Sequence, residues 1–239
     1  MRTKYAYIKL LVLLLLVGFL YAFANNRNSA KPVGSTNITF LGENTLFITE
    51  NAVSKLLIQN QQPVTELPKE IIDLNELETA LNSNPMIKKA QVFMSVNGEL
   101  SAEIEQKQPI ARVSAEESYY IDDEGDYMPL SVNYSARVPL VTGNINKEHL
   151  DTVFRLAKTV YEDEFLKKHV IGIHQNEDHS MAFKIRKSDV IVHLGDLSNL
   201  EKKLNNFKVF YQKAVKDSIL DRYSTINLKF DKQVIGTKK

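Results

Sequence analysis

The chain has 239 residues, 44% hydrophobic and 25% charged, enough for one or two small domains with real cores. Its formal net charge is +1 and its basic residues are spread along the chain, which argues against a nucleic-acid partner, since that needs a clustered positive face. With no cysteine there is no disulfide framework, thiolate zinc site, cysteine nucleophile or lipid-anchor cysteine.

Arg2, Lys4 and Lys9 precede an uncharged run from Leu10 to Asn26 centred on Leu10–Val17. With Tyr5 to Ile8 the apolar stretch reaches roughly 20 residues, the length of a membrane-spanning helix. Lys9 can snorkel to the headgroups, and Tyr5, Tyr7 and Tyr21 lie at interfacial depths. The basic flank places the N-terminus in the cytoplasm. A cleaved signal peptide is the other reading, because Ala22-Phe23-Ala24 satisfies the small-x-small pattern. Both readings export the remainder of the chain.

A polar linker follows, with Lys31, Pro32 and Gly34. Asn37–Leu41 reads as a strand closed by Gly42. A helix is expected from Thr49, with Ala52, Val53, Leu56 and Leu57 on one face, and Gln59–Pro68 as a loop. Asp73 and Glu76 form a capping box for a helix carrying Leu74, Leu77 and Leu81, which Asn84-Pro85 stops. Ala90, Val92, Met94 and Val96 alternate, Asn97-Gly98 turns, and Leu100, Ala102 and Ile104 alternate again, predicting a β-hairpin. The order strand, helix, helix, strand, strand describes a small α+β domain with two helices on one face of a three-stranded sheet.

Beyond Pro109, strands are expected at Ile110–Ser114, Tyr119–Ile121 and Pro139–Gly143. Lys147–Tyr161 reads as a helix burying Leu150, Val153, Phe154, Ala157 and Val160. Strands at His169–His174, Met181–Arg186 and Val190–Leu194 follow. Ser198 and Glu201 suggest a second capping box, opening a helix with Leu197, Leu200, Leu204, Phe207, Phe210 and Ala214. Ile226, Leu228 and Phe230 alternate in a final strand that can continue, after a bend, into Val234 and Ile235.

Catalytic and metal motifs are not found. Counted from Asp122, the sixth and twelfth positions do not supply the glycine and glutamate of a calcium loop, so Asp122–Asp126 reads as a solvated hairpin turn. His174 and His179 lie at opposite ends of a turn, unsuited to converge on zinc. No Gly-x-Ser-x-Gly, P-loop or Gly-x-Gly-x-x-Gly is present. The chain therefore reads as a non-catalytic binding protein without cofactor or metal.

Several segments together resemble the FtsQ/DivIB family of bacterial division proteins. They are Ile38–Thr45 as a POTRA opening, Leu81–Val92 as its helix-to-strand joint, Leu100–Ala111 leading into a β domain, and Tyr120–Gly125 as a turn. Val192–Gly195 with Leu204, and the closing Asn227–Phe230, complete the match. Lys107-Gln108 stand where the family often has glutamate-arginine.

The resemblance implies an α+β architecture: cytoplasmic tail 1–9, transmembrane helix 10–26, linker 27–36, POTRA domain (β-α-α-β-β) 37–108, and a β-rich domain with two long helices over 109–239. It implies a single-pass protein of the inner membrane at the septum, binding FtsB and FtsL and linking early division proteins to septal peptidoglycan synthesis. Such binding works by β-augmentation, in which backbone hydrogen bonds on a sheet edge supply much of the affinity. The residues it points to are Thr225, Ile226, Asn227, Leu228, Lys229, Phe230, Asp231, Lys232, Gln233, Val234, Ile235 and Gly236, with Phe230 and the backbone of Lys229–Gln233 as docking edge. Lys229, Lys232, Lys238 and Lys239 suit an edge guarded against wrong pairing, or merely solvate it. The POTRA domain would serve as a further binding module. Two rivals are a POTRA-containing component of outer-membrane assembly or secretion, and a periplasmic enzyme released after Ala24; a barrel would need many strands of ~10 residues.

Overall fold

The apolar leucines that open the chain form a helix, α1 (Arg2–Ser29), which continues past the expected linker start at residue 27. The computed structural model describes residues 2–29, 32–42, 45–59, 62–146, 150–230 and 233–239. Leu10–Val17, Phe19–Tyr21 and Phe23 are all exposed. Among the described residues no helix is long and apolar enough to cross a membrane.

The chain divides into two compact units, Met1–Gln106 and Lys107–Lys239. In the first, β1 (Ser35–Leu41) leads to α2 (Glu50–Ser54), capped by the Thr49 hydroxyl on the Ala52 N–H at 3.2 Å. This helix is shorter than expected. Leu56 and Leu57 lie beyond it, and the Leu57 carbonyl accepts the Val64 N–H, drawing the chain into the short pair β2 (Ile58–Gln59) and β3 (Gln62–Pro63). Single 3-10 turns follow at Val64–Glu66 and Lys69–Ile71. Asp73 caps α3 (Leu74–Asn82) as expected, accepting from Asn75 N at 3.0 Å and Glu76 N at 3.2 Å.

The hairpin of β4 (Ile87–Met94) and β5 (Glu99–Gln106) turns through Ser95–Gly98, where Gly98 alone takes a positive φ (+88°). Val96, expected on the buried side, sits in that turn and is 89% exposed. The sheet order is β1-β5-β4, with β1 parallel to β5. Val53, Leu57, Leu77 and Leu81 pack on Ala90, Val92, Leu100, Ala102 and Ile104. The inward alternation of β5 ends on a polar residue. Gln106 is fully buried; its Oε1 accepts the N–H groups of Phe47 (2.9 Å) and Ile48 (3.2 Å), and its Nε2 donates to the Ile48 carbonyl (3.1 Å).

The second unit is one nine-stranded sheet. Its elements are β6 (Pro109–Val113), β7 (Tyr119–Asp122), β8 (Tyr127–Pro129), β9 (Leu140–Gly143), α4 (Asp151–Glu162), α5 (Glu164–His169), β10 (Val170–Gln175), β11 (Met181–Ile185), β12 (Ile191–Gly195), α6 (Leu200–Lys216), β13 (Tyr223–Asn227) and β14 (Ile235–Lys238). The spatial order is β8-β7-β6-β9-β10-β11-β12-β13-β14. β9 runs parallel to both β6 and β10, and β12 parallel to β13. Parallel neighbours need a crossover, and α4–α5 and α6 supply two of them, packing Val153, Leu156, Val160, Leu204 and Phe207 into one core.

Three expectations are corrected here. The first helix of this unit starts at Asp151, and Lys147 lies outside the described residues. His169 ends α5 instead of starting a strand, its ring stacked on Phe165 at 4.3 Å. No Ser198 capping box forms: Asn199 holds the N-cap position in the left-handed region (φ +50°), and the Ser198 hydroxyl donates to Asp196 at 2.6 Å.

The acidic turn is also not simply solvated. Asp122 is fully buried, its Oδ1 accepting from Glu124 N (3.0 Å) and Asp126 N (2.8 Å) and its Oδ2 facing Lys107 Nζ at 2.7 Å.

A buried cation fixes the loop between β12 and α6. Lys203, on the apolar stripe of α6, donates to the Leu194 carbonyl (3.2 Å), the Asp196 carbonyl (2.9 Å) and Asp196 Oδ1 (2.8 Å). The hydrogen bond from Lys203, joined by that from Ser198, holds the Asp196 carboxyl at about 2, below its ordinary 3.8. The folded state therefore takes up this proton less readily than the unfolded chain. The stability involved is fully present above about pH 4 and is lost as pH falls toward 2. Asp196→Asn is expected to flatten the acid limb of a stability-pH profile between those values; an unchanged limb contradicts this assignment.

Candidate partner-binding edge

A nine-stranded open sheet has two edges, and they are built differently. At one end β8 has three residues. Pro129 in it has no N–H to offer, and Lys107 Nζ approaches the Tyr127 carbonyl at 3.4 Å. That edge is short and blunted.

β14 forms the other end, pairing antiparallel with β13 and, among the described residues, with no further strand outside it. Lys239 N donates to the Arg222 carbonyl (2.9 Å) and the Thr237 carbonyl accepts from Ser224 Oγ (3.2 Å). Strand alternation then turns the N–H and C=O groups of Gly236 and Lys238 away from β13. Gly236 lies under the Tyr223 ring, where an added Cβ would come within 2.5 Å, and Tyr223 meets Phe210 of α6 edge-on at 5.4 Å. The edge strand is thus held against the domain by an aromatic contact.

Most of the sequence-derived site residues lie beside this edge and not on it. Thr225, Ile226 and Asn227 belong to β13, which is paired on both sides. Leu228 is buried, its N–H on the His193 carbonyl at 2.8 Å. The Asn227 side chain accepts the Lys229 N–H (2.9 Å), an Asx turn that takes the chain off the sheet and leaves Phe230 48% exposed in a loop. The expected continuous strand through Phe230 is therefore replaced by two strands folded back on each other. Asp231 and Lys232 lie outside the described residues. Gln233 and Val234 lead into β14, which holds Ile235 and Gly236. Thr237 and Lys238 complete the edge. Alternation marked the apolar partners of Ile226 but could not say which strand has a neighbour.

His174 contacts Thr142 Oγ1 at 3.0 Å, and His179 faces Gln175 at 3.4 Å. Among the described residues no cluster of three or more His, Cys, Asp or Glu side chains could hold a metal ion.

A family model described as FtsQ/DivIB, C-terminal related, matches residues 108–237, more than half of the chain. The chain belongs to the FtsQ/DivIB family. A POTRA-like domain model matches residues 38–105 in the first unit. This FtsQ/DivIB chain is thus a mixed α and β protein with a POTRA-like domain followed by a β-rich one, and both are families of non-catalytic scaffold domains. Membership places it among cell-division scaffolds acting at the division site through protein–protein interactions. No curated protein matches it in sequence.

Proposed function

We propose that this chain is a bitopic, non-catalytic scaffold of the bacterial divisome, free of cofactor and metal, and that its β14 edge receives a strand from an FtsB/FtsL-like partner. Through that contact it links early division proteins to septal peptidoglycan synthesis. The open outer edge of β14, set against the proline-blunted β8, is the observation that carries this reading. Ile235 and Phe230, both partly exposed, flank the edge with apolar surface that a docked strand would cover.

Membrane attachment by α1 belongs to the same reading. Among the described residues α1 contributes nothing to either core. A row of leucines without a protein partner would be stabilised in lipid by roughly 1.5–3 kcal/mol per side chain. In sequence the apolar run reaches back to Tyr5, and the basic residues before it keep the N-terminus cytoplasmic and the C-terminus outside.

Removing Lys229–Lys239 would also uncover β13, so a finer variant tests the edge. Lys238→Pro deletes one outward N–H while leaving the bonds to β13 in place, and proline is tolerated at such positions. Tagged full-length chain purified from detergent-solubilised membranes is expected to carry two small bitopic coiled-coil proteins, identified by mass spectrometry. The Lys238→Pro chain should lose them, with its thermal midpoint within a few degrees of the parent. Full partner recovery by that variant would rule out the edge. Recovery of barrel-assembly components by the parent would rule out the division role.

A further inference from the structure

The POTRA-like sheet also has two edges, and only one of them is closed. On β4 three of the outward groups are taken by side chains of α3. Asn82 Oδ1 accepts the Ala90 N–H at 2.8 Å, its Nδ2 faces the Ala90 carbonyl at 3.3 Å, and Glu78 accepts the Val92 N–H at 3.1 Å. Asn82 therefore stands in for a neighbouring strand, and an incoming peptide would have to displace both side chains.

Among the described residues β1 has no such cover. It pairs with β5 alone, without a register shift, over all of Ser35–Leu41. Gly34 N donates to the Gly98 carbonyl on the β5 side (2.9 Å) and Val33 N to the Leu67 carbonyl (3.2 Å). On β5 the Glu99 carbonyl accepts the Ser95 N–H of the β4 side, so Leu100, Ala102 and Ile104 turn their backbone groups toward β1; in a parallel pair the residues opposite them, Thr36, Ile38 and Phe40, turn theirs outward. On the core side Ile38 and Phe40 are only partly buried. The strand has no charge, no proline and no bulge, so none of the usual guards of an exposed edge is present.

We propose that β1 pairs with β1 of a second copy of this chain, antiparallel about Ile38, joining the two POTRA-like sheets into one. Three features favour a second copy as the occupant. First, centring on Ile38 uses all seven residues, whereas any other two-fold register uses fewer. Second, Ile38, whose groups point outward, then forms a hydrogen-bonded pair with its own copy, and Thr36 forms one with Phe40. Third, Ile38 faces its own copy on the core side, with Thr36 opposite Phe40, so half-covered apolar side chains cover each other without any like charge meeting across the axis. A seven-residue strand contact is smaller than a standard ~1,600 Å² interface, so a covalent trap is the appropriate probe.

The absence of cysteine makes that trap clean. Ile38→Cys, in the full-length chain in membranes, is expected to give a disulfide-linked dimer on mild oxidation, because directly opposed residues of this kind have Cα atoms ~5.5 Å apart, within the span of a disulfide. Thr36→Cys and Phe40→Cys should each fail alone, since each is then roughly 13 Å from its own copy, but the two combined in one chain should cross-link. Adding Asn37→Lys with Thr39→Lys to the Ile38→Cys chain sets like charges opposite each other and should cut the dimer yield at least tenfold. Both positions are exposed, and an unchanged thermal midpoint under reducing conditions would show that the fold persists. The proposal is overturned if Ile38→Cys gives no dimer, if all three single variants cross-link equally, or if its adduct is with a different protein.

Discussion

Gly143→Ala is expected to destabilise the β-rich domain by at least about 3 kcal/mol. Gly143 ends β9 at φ +104°, beyond the reach of an ordinary L side chain. A Cβ there would lie 2.0 Å from the Gln175 carbonyl oxygen and 3.0 Å from its carbon. That carbonyl cannot retreat at low cost, because it accepts the Asn144 N–H at 3.0 Å and lies in the parallel pairing of β9 with β10. The conflict is therefore with the ladder at the centre of the sheet, where the α4–α5 crossover is anchored, and no rotamer change relieves it. Urea denaturation followed by far-UV circular dichroism should show the lower midpoint. A loss below 1 kcal/mol would mean that the two strands separate there without consequence.

Gln106→Leu is expected to cost the POTRA-like domain about 2–4 kcal/mol, even though leucine fits the inward phase of β5. The side chain removed serves two N–H groups and one carbonyl of Phe47 and Ile48, which hold the connection from β1 to α2 on the sheet. Each buried backbone group left without that partner costs roughly 1–3 kcal/mol, offset in part by the added apolar side chain. Amide exchange at Phe47 and Ile48 should accelerate before that of the β5 ladder. Native-like protection at both amides in the leucine variant would show that other bonds hold this loop.

Gln106 and Lys203 could both have drawn notice in the sequence. Gln106 continues the inward series Leu100, Ala102 and Ile104, and a polar side chain in that phase has to find buried partners. Lys203 likewise falls between Leu200, Leu204 and Phe207 on the apolar stripe of α6. Position in a period shows that such a group is buried, but its partners come from distant turns that no local pattern identifies. The Ser198 capping box failed for a related reason. The Ser198 hydroxyl is drawn to Asp196, whose carboxylate is in turn tied to Lys203, so a tertiary ion pair overrides the local cap.

By itself the sequence determined the period of the longer elements, the Asp73 cap, the Gly98 turn and the alternation that gives β4 and β5 a buried and an open face. These depend on neighbours three or four residues away, where backbone sterics and local hydrogen bonds dominate. It also carried the order of elements by which the family is recognisable. Only the tertiary structure decided which strands are neighbours. It placed β13 inside the sheet and β14 at its edge, closed β4 with Asn82 and Glu78, and left β1 open. A strand carries the same alternation whether its backbone groups meet another strand, a side chain or nothing, so the binding edges of this protein are set by long-range pairing.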